Sequence, residues 1–290
     1  MTEPVEHPPD PVADQWKLPD GWRPEPFFVL GAISQYLGAS IAVILFQSIP
    51  AGTVALLRVI GAGSILVLVR RSWRRSWTRR NLWWAGVFGS VLAAMNLSFY
   101  LAIDRLPLGN AVAIEFIGPV AVAALGAHSG RKKAGLAVAS GGVLLLAGVS
   151  PEGTFVGVLF ALLAGALWAG YIVLGARVAR SGSGVDGLGV GMLIGAVMIA
   201  PLTAGGMVEV AAAPALAGLA LATGLLSNAI PYGIDQVVLA RIDRSRFAFL
   251  LALLPVTATL VGLVTLAQTP TAAEVAGIMA VAVAIVLAGD

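Results

Sequence analysis

Residues 95–124 read MNLSFYLAIDRLPLGNAVAIEFIGPVAVAA, and this stretch decides how the rest of the chain is interpreted. It predicts the end of one membrane helix, a short turn at Asp104–Leu108 and a second membrane helix. The second helix carries Glu115, and a charge near the middle of such a helix costs about 2.5–3.5 kcal/mol on insertion scales. Pro119, four residues on, frees a backbone carbonyl and loosens the helix there. The stretch therefore predicts one wall of a polar cavity inside a membrane protein.

The composition is that of an integral membrane protein with helical spans. Of the 290 residues, 58% are hydrophobic and only 11% are charged, whereas soluble domains carry about 25% charged residues. The apolar runs are long and lack the alternation of an outer-membrane barrel. The absence of cysteine excludes thiol chemistry and disulfides, and two distant histidines predict no metal centre and no cofactor.

Ten apolar segments follow residues 1–26, a polar, proline-rich stretch that predicts a disordered cytoplasmic tail. Most of the segments have the length that crosses about 30 Å of hydrocarbon. They lie at residues 27–46, 51–69, 82–103, 109–127, 133–149, 155–176, 187–206, 213–239, 246–267 and 271–289.

The basic residues predict the orientation. Ten spans with a cytoplasmic N-terminus place 16 of the 18 lysines and arginines in the inner segments, leaving Arg105 outside and Arg58 within a span. We therefore expect a multi-pass inner-membrane protein with both termini in the cytoplasm. Its pI of about 9.6 then reflects contact with anionic membrane lipid and not with nucleic acid.

The chain resembles two related halves, residues 27–149 and 155–289. A shift of 136 residues superposes Pro119 on Pro255, Arg105 on Arg241 and Gly126 on Gly262. Because five spans per half is an odd number, the second half must be inverted relative to the first. Inverted repeats are typical of secondary transporters that give alternating access to a central site.

Several sequence blocks resemble the EamA family of the drug/metabolite transporter superfamily, and within it the bacterial threonine/homoserine exporters. The blocks are MNLSFY (95–100), LPLG (106–109), AIEFIGPVA (113–121), LR (57–58), WAGY (168–171) and IPYGIDQ (230–236). The likeness runs from about residue 30 to residue 289. It implies ten helices in two inverted five-helix halves and the export of small metabolites, often amino acids.

The second half departs from the family pattern at two carboxylates. The family usually has a glutamate before its second-half proline and a Gly-Glu pair near the end of the ninth helix. This chain has Leu254–Pro255 and Ala267–Gln268 at those positions. The resemblance therefore does not imply a mechanism that needs these two carboxylates. The acidic residues Glu115 and Asp235 are still present.

Arg58 and Glu115 are the first candidate substrate-binding residues. Each lies six or seven residues into a span that runs inward, at a matched depth of roughly 10 Å. They could form a static ion pair that fixes helix packing. Alternatively, they face the cavity and bind the carboxylate and ammonium of a zwitterion, or Glu115 exchanges a proton.

Five further residues are candidates for substrate binding, each with helix packing as the alternative. Asn96 and Tyr100 share one helix face and offer neutral hydrogen-bonding groups. Gln35 lies between two glycines that allow close approach. Trp168 and Tyr171 could form an aromatic wall, including a surface for a cation.

Asp235 is the second proton-coupling candidate after Glu115. It lies near the inner end of the eighth span, close to a proline. The alternative is that it reaches the inner surface and pairs with Arg241 or Arg244.

These observations predict a secondary transporter that exports small amino acids by alternating access, with proton antiport through Glu115 as its energy source. Aromatic amino acids or cationic drugs are the alternative substrates, and a membrane sensor or an intramembrane enzyme is the alternative of another class. No nucleophile–base set or Walker loop is present in the sequence, which disfavours an enzyme and excludes a free-standing ATP-driven pump. A monomer is sufficient to enclose a cavity, and the GxxxG at Gly191–Gly195 favours a dimer only weakly.

Overall fold

A computed structural model describes residues 24–125, 130–148, 155–180, 184–232, 234 and 244–289. Every regular element in these ranges is helical. The helices are α1 (Pro24–Leu45), α2 (Ala51–Arg70), α3 (Arg79–Ile103), α4 (Leu108–Glu115), α5 (Ile117–Leu125), α6 (Gly130–Gly148), α7 (Phe155–Arg180), α8 (Gly184–Thr203), α9 (Met207–Ala212), α10 (Pro214–Gly224), α11 (Arg244–Leu266) and α12 (Ala272–Gly289). A π-helical segment, Leu225–Ala229, continues α10.

The helices confirm an all-helical, multi-pass membrane protein. Six described stretches are long and apolar enough to cross a membrane, and four shorter apolar helices accompany them. The six are Pro26–Leu45, Ala51–Arg70, Arg79–Ile103, Phe155–Gly175, Gly184–Ala212 and Pro214–Tyr232, and the shorter ones are Leu108–Val122, Lys133–Leu145, Leu254–Leu266 and Ala272–Leu287. Ten spans in two inverted halves stay a prediction, and the N-terminal tail before residue 24 lies outside the described residues.

The hairpin and the proline break expected from residues 95–124 are both present. α3 ends at Ile103 and α4 begins at Leu108. α4 then ends at Glu115, and α5 begins only after Phe116. Pro119 has no N–H to donate to the carbonyl of Glu115, so the helical ladder is interrupted at this level.

Helix ends follow local capping rules. Thr78 accepts a hydrogen bond from the backbone N–H of Asn81 (3.1 Å) at the start of α3. Thr271 and Glu274 form a reciprocal capping box at the start of α12, with Oγ1 of Thr271 accepting from the N–H of Glu274 (3.2 Å) and Oε2 of Glu274 accepting from the N–H of Thr271 (2.7 Å).

Helices from the first half of the chain pack against helices from the second half. α3 lies against α7 and α8, α2 against α8 and α10, α4 against α7 and α11, and α6 against α12. Large apolar side chains such as Leu144, Val197 and Leu202 are exposed on the outside, as expected for surfaces that face lipid. Arg58, Tyr100 and Asn228 are buried in the interior and belong to α2, α3 and the π-helical segment, respectively.

Candidate substrate site

Arg58 of α2 is a buried cation that binds a neutral partner. Only 3% of its surface is exposed. Its Nε donates a hydrogen bond to Oδ1 of Asn228 (2.9 Å), and its Nη2 donates to the same oxygen. The same Nη2 donates to the backbone carbonyl of Ser227 (3.2 Å). The guanidinium is thus held by the π-helical segment, 170 residues further along the chain.

Pro231 explains why this segment can receive a side chain from α2. Proline has no N–H, so the carbonyls four and five residues before it, those of Ser227 and Leu226, lose their helical donor. Arg58 donates to the first, and the hydroxyl of Ser34 on α1 donates to the second (2.8 Å). Neighbouring helices thus satisfy the freed backbone groups, as membrane helices broken by proline require.

Tyr100 of α3 completes the surroundings of the guanidinium. The Cζ atom of Arg58 lies 4.7 Å from the centroid of the Tyr100 ring, a cation–π contact. Tyr100 is fully buried and meets Phe46 edge-on at 5.7 Å. In the described part of the chain, three buried atoms here have no hydrogen-bond partner: Nη1 of Arg58, the hydroxyl of Tyr100 and Nδ2 of Asn228.

Glu115 lies at the helix break and is not the ion-pair partner of Arg58. Its exposed fraction is 7%, and among the described residues its side chain makes no hydrogen bond or ion pair. The direct ion pair, one of the two interpretations of their matched depth, is therefore absent among the described residues, and Arg58 donates to Asn228 and Ser227 instead.

Two glycines bring other helices against the backbones of Arg58 and Glu115. A Cβ atom at Gly224 would collide with the carbonyl oxygen of Arg58, and one at Gly165 would collide with the carbonyl oxygen of Glu115. The second oxygen is the one that Pro119 leaves without a helical donor. Both charged residues therefore lie where two backbones touch, which limits how far either helix can shift.

Trp168 and Tyr171 of α7 contact other rings. Trp168 packs edge-on against Phe116, the residue at the helix break, with centroids 4.6 Å apart. Tyr171 stacks between Phe88 and Tyr232, at 5.0 and 5.9 Å. These ring contacts join α7 to the helix break, to α3 and to the residues after the π-helical segment, and an aromatic wall of the site stays a prediction.

Asn96 and Gln35 each form a hydrogen bond within the protein. Asn96 is buried, and its Nδ2 donates to the carbonyl of Leu92 one turn earlier (2.8 Å). The backbone carbonyl of Gln35 accepts a hydrogen bond from the hydroxyl of Ser227 (3.0 Å). Asp235 lies outside the described residues.

One end of the bundle is tied by Asp186, in the first turn of α8. Its Oδ1 accepts from the hydroxyl of Ser72 (2.6 Å), and its Oδ2 lies 3.4 Å from Arg70 and 3.5 Å from Arg75. Asp186 is 7% exposed. The cluster therefore joins the end of α2 to the start of α8.

The opposite end is tied by polar contacts between α4 and α12. Nδ2 of Asn110 donates to Oε1 of Glu274 (2.6 Å), and Oε1 of Gln268 accepts from the N–H of Leu108 (3.0 Å). Asn110, Gln268 and Glu274 line a pocket of about 120 Å³. Gln268 occupies one of the positions where the family usually has a carboxylate, and here it caps the start of α4.

Sequence reasoning missed Asn228 as a site residue, together with Asp186. Pro231, three residues after Asn228, offered a usable signal, because it leaves the carbonyl of Ser227 without a helical donor. Asp186 carried no signal beyond its place near a helix start. With Asn228 included, the interior offers a buried cation, unpaired donors and a separate buried carboxylate, a set suited to a solute that carries both charges.

Known proteins resemble this chain over most of its length. Residues 155–289 match the model of the EamA-like transporter family. The threonine/homoserine exporter RhtA of Salmonella typhimurium strain LT2 is 32% identical over 268 residues, covering 91% of this chain and 90% of that protein. The protein of the same name from Escherichia coli K12 is 32% identical over 253 residues, covering 86% and 85%.

A solved crystal structure also shares the fold. It matches with a TM-score of 0.53 at 20% identity, covering 90% of this chain and 96% of that one. At this identity the likeness extends to the fold alone.

Proposed function

The chain belongs to the EamA-like transporter family, and on that premise we propose that it exports small amino acids of the threonine and homoserine kind across the inner membrane. The names of its relatives support this substrate class. The observation that carries the proposal is the buried Arg58, which has one free nitrogen and lacks a direct acidic partner in the described part of the chain.

Arg58 and Glu115 recognise the two ends of the substrate in this proposal. The guanidinium binds the carboxylate, and the carboxylate of Glu115 receives the ammonium group. Because the two side chains do not neutralise each other by contact, both charges remain for a zwitterion. Buried charges without partners are costly, so their retention in a membrane interior favours function over packing.

The other candidates line the path between these charges. Tyr100 and Asn96 offer hydrogen-bonding groups from α3, Gln35 lies on α1, and Trp168 and Tyr171 form the apolar side. A hydroxylated side chain of two carbons, as in threonine and homoserine, would contact both the polar and the aromatic parts.

Alternating access between two inverted five-helix halves, with both termini in the cytoplasm, is the mechanism we propose. The packing of α3 on α7 and α8 is mirrored by that of α10 on α1 and α2, which supports the repeat. The polar contacts of Asp186 and of Asn110 lie at opposite ends of α3. In the proposed cycle they break alternately, so that one end of the bundle opens while the other stays closed. A monomer suffices for this cycle.

Proton antiport through Glu115 is the proposed energy source. In this scheme Glu115 exchanges a proton for the ammonium end of the substrate, and Asp235 is a second acidic group nearer the inner surface. Loss of the carboxylates at Leu254 and Gln268 leaves Glu115 as the central acidic group of the proposal.

Aromatic amino acids are the second candidate substrates, because Tyr171 stacks between two further rings. Cationic drugs receive less support. A buried guanidinium held only by neutral groups repels a cation at the same site.

Uptake into inside-out vesicles tests this proposal. Cells expressing the full chain provide vesicles that receive labelled threonine or homoserine under an imposed pH gradient. We expect uptake by the wild type and by Arg105→Ala, which alters an exposed arginine, and no uptake by Arg58→Ala. Equal uptake by vesicles with and without the protein would contradict the proposal.

A further inference from the structure

The donors around Arg58 carry an inference that rests on the proposed function and extends it to a residue with no assigned role. We infer that Asn228 is a substrate-binding residue. Its side-chain oxygen aims the guanidinium, and its Nδ2 joins Nη1 of Arg58 and the hydroxyl of Tyr100 in binding the carboxylate of the transported solute.

The neutrality of Asn228 leaves the charge of Arg58 available. Among the described residues, the groups that contact the guanidinium are an amide oxygen, a backbone carbonyl and a ring face, and none of these carries a negative charge. Arg70, by contrast, contacts the carboxylate of Asp186. An aspartate at position 228 would neutralise the positive charge of Arg58. An asparagine holds the guanidinium in the same geometry and leaves its charge available for a ligand.

The three donors come from three different elements and lie around one guanidinium. Nη1 belongs to α2, the hydroxyl to α3, and Nδ2 to the π-helical segment, and all three are buried without a partner in the described chain. A buried donor without a partner destabilises the protein, because it has lost its hydrogen bonds to water. A carboxylate has two oxygens with several lone pairs and can satisfy all three.

The segment that carries Asn228 is held in place from α1. The hydroxyl of Ser34 donates to the carbonyl of Leu226, and the hydroxyl of Ser227 donates to the carbonyl of Gln35. Asn228 is completely buried, so a solute reaches it only after neighbouring helices separate. When the helices close again around a bound carboxylate, the contacts of that carboxylate would link α1, α2 and α3.

An Asn228→Asp variant of the full chain in nanodiscs tests the inference. The substitution is nearly isosteric and gives Arg58 a permanent carboxylate partner. Asn81→Asp, in the first turn of α3, adds the same charge outside the site. The readout is the shift of the thermal unfolding midpoint on adding threonine, homoserine, lactate or threoninol, which has a hydroxymethyl group in place of the carboxylate of threonine.

We expect the carboxylate ligands, and not threoninol, to stabilise the wild type and Asn81→Asp. In Asn228→Asp, the apparent Kd rises about 30-fold or more, because the added carboxylate occupies the cation. Without ligand, Asn228→Asp should unfold at or above the midpoint of the wild type. This result would show that ligand binding is lost because the new carboxylate pairs with Arg58, and not because the variant is misfolded.

The panel separates failure of the inference from failure of the proposed function. If lactate stabilises the wild type but not Asn228→Asp, while threonine and homoserine have no effect, the carboxylate site stands and the substrate class is wrong. The inference is overturned if threoninol raises the unfolding midpoint of the wild type as much as threonine does, or if no carboxylate ligand raises it. It is also overturned if threonine raises the midpoint of Asn228→Asp as much as that of the wild type.

Discussion

The guanidinium of Arg58 is held by the side chain of Asn228, with Nε and Oδ1 2.9 Å apart across 170 residues of sequence. This contact joins α2 to the π-helical segment through a neutral partner. Among the described residues Arg58 forms no ion pair with Glu115, so that the two buried side chains remain separate. The proposed recognition of a zwitterion depends on this separation.

Replacement of Glu115 by glutamine separates proton coupling from substrate exchange. We predict that Glu115→Gln loses the response of threonine uptake to an imposed pH gradient, because the side chain can no longer exchange a proton. Uptake into inside-out vesicles with and without the gradient measures the effect. Glu209→Gln, at an exposed glutamate of α9, should respond as the wild type does. A full gradient response in Glu115→Gln would rule out the proton role.

The close contact of Gly165 with the Glu115 backbone predicts a loss of stability on adding a methyl group. Gly165→Ala should lower the free energy of unfolding by about 1–3 kcal/mol, since the new Cβ meets backbone atoms that cannot move independently. Gly141→Ala, with open space around its Cβ, should be neutral or stabilising by up to about 1 kcal/mol. Thermal unfolding in detergent measures the stability of both variants. Equal effects of the two substitutions would show that the contact between Gly165 and the backbone of Glu115 is loose.

Ala267 adopts a left-handed backbone conformation with φ of 53°, at a position where the family usually has glycine. Ala267→Gly should stabilise the protein by about 1 kcal/mol, because glycine has no Cβ to oppose this conformation. Ala258→Gly, within α11, should instead destabilise it by about 1 kcal/mol or more. The two unfolding midpoints are expected to move in opposite directions, and a shared direction would contradict the prediction.

The tie at Asp186 is predicted to stabilise the end of the bundle where α2 meets α8. Asp186→Asn should cost about 1–2 kcal/mol, since Arg70 and Arg75 lose a largely buried carboxylate. Asp104→Asn removes an exposed ion pair with Arg105 and should cost less than about 0.5 kcal/mol. If both variants melt at the same temperature, the tie contributes nothing measurable.

The sequence predicted the parts of the structure that local rules control. The hairpin after α3 followed from its turn, and the break after Glu115 followed from Pro119. Both depend on residues within one turn of each other. The same proline rule applied to Pro231 would have indicated a free carbonyl at Ser227, although not which donor fills it.

The pairing of charges was less accessible from sequence, because it depends on how helices rotate. Matched depth allowed contact between Arg58 and Glu115 as one of two alternatives, but depth along a helix does not determine which way a side chain points. The neutral Asn228 reached the guanidinium instead. Likewise, Asp186 pairs with arginines more than 110 residues earlier in the chain, a distance at which no local pattern applies.

Solute counterflow tests the central claim of amino-acid transport most directly, because it needs no assumption about the energy source. Proteoliposomes containing the full chain are loaded with unlabelled threonine and diluted into a trace of labelled threonine. We predict a transient accumulation of label in vesicles with the wild type or Arg105→Ala, and none with Arg58→Ala. The absence of accumulation with folded wild-type protein, for homoserine as well as threonine, would contradict the account, as would full accumulation with Arg58→Ala.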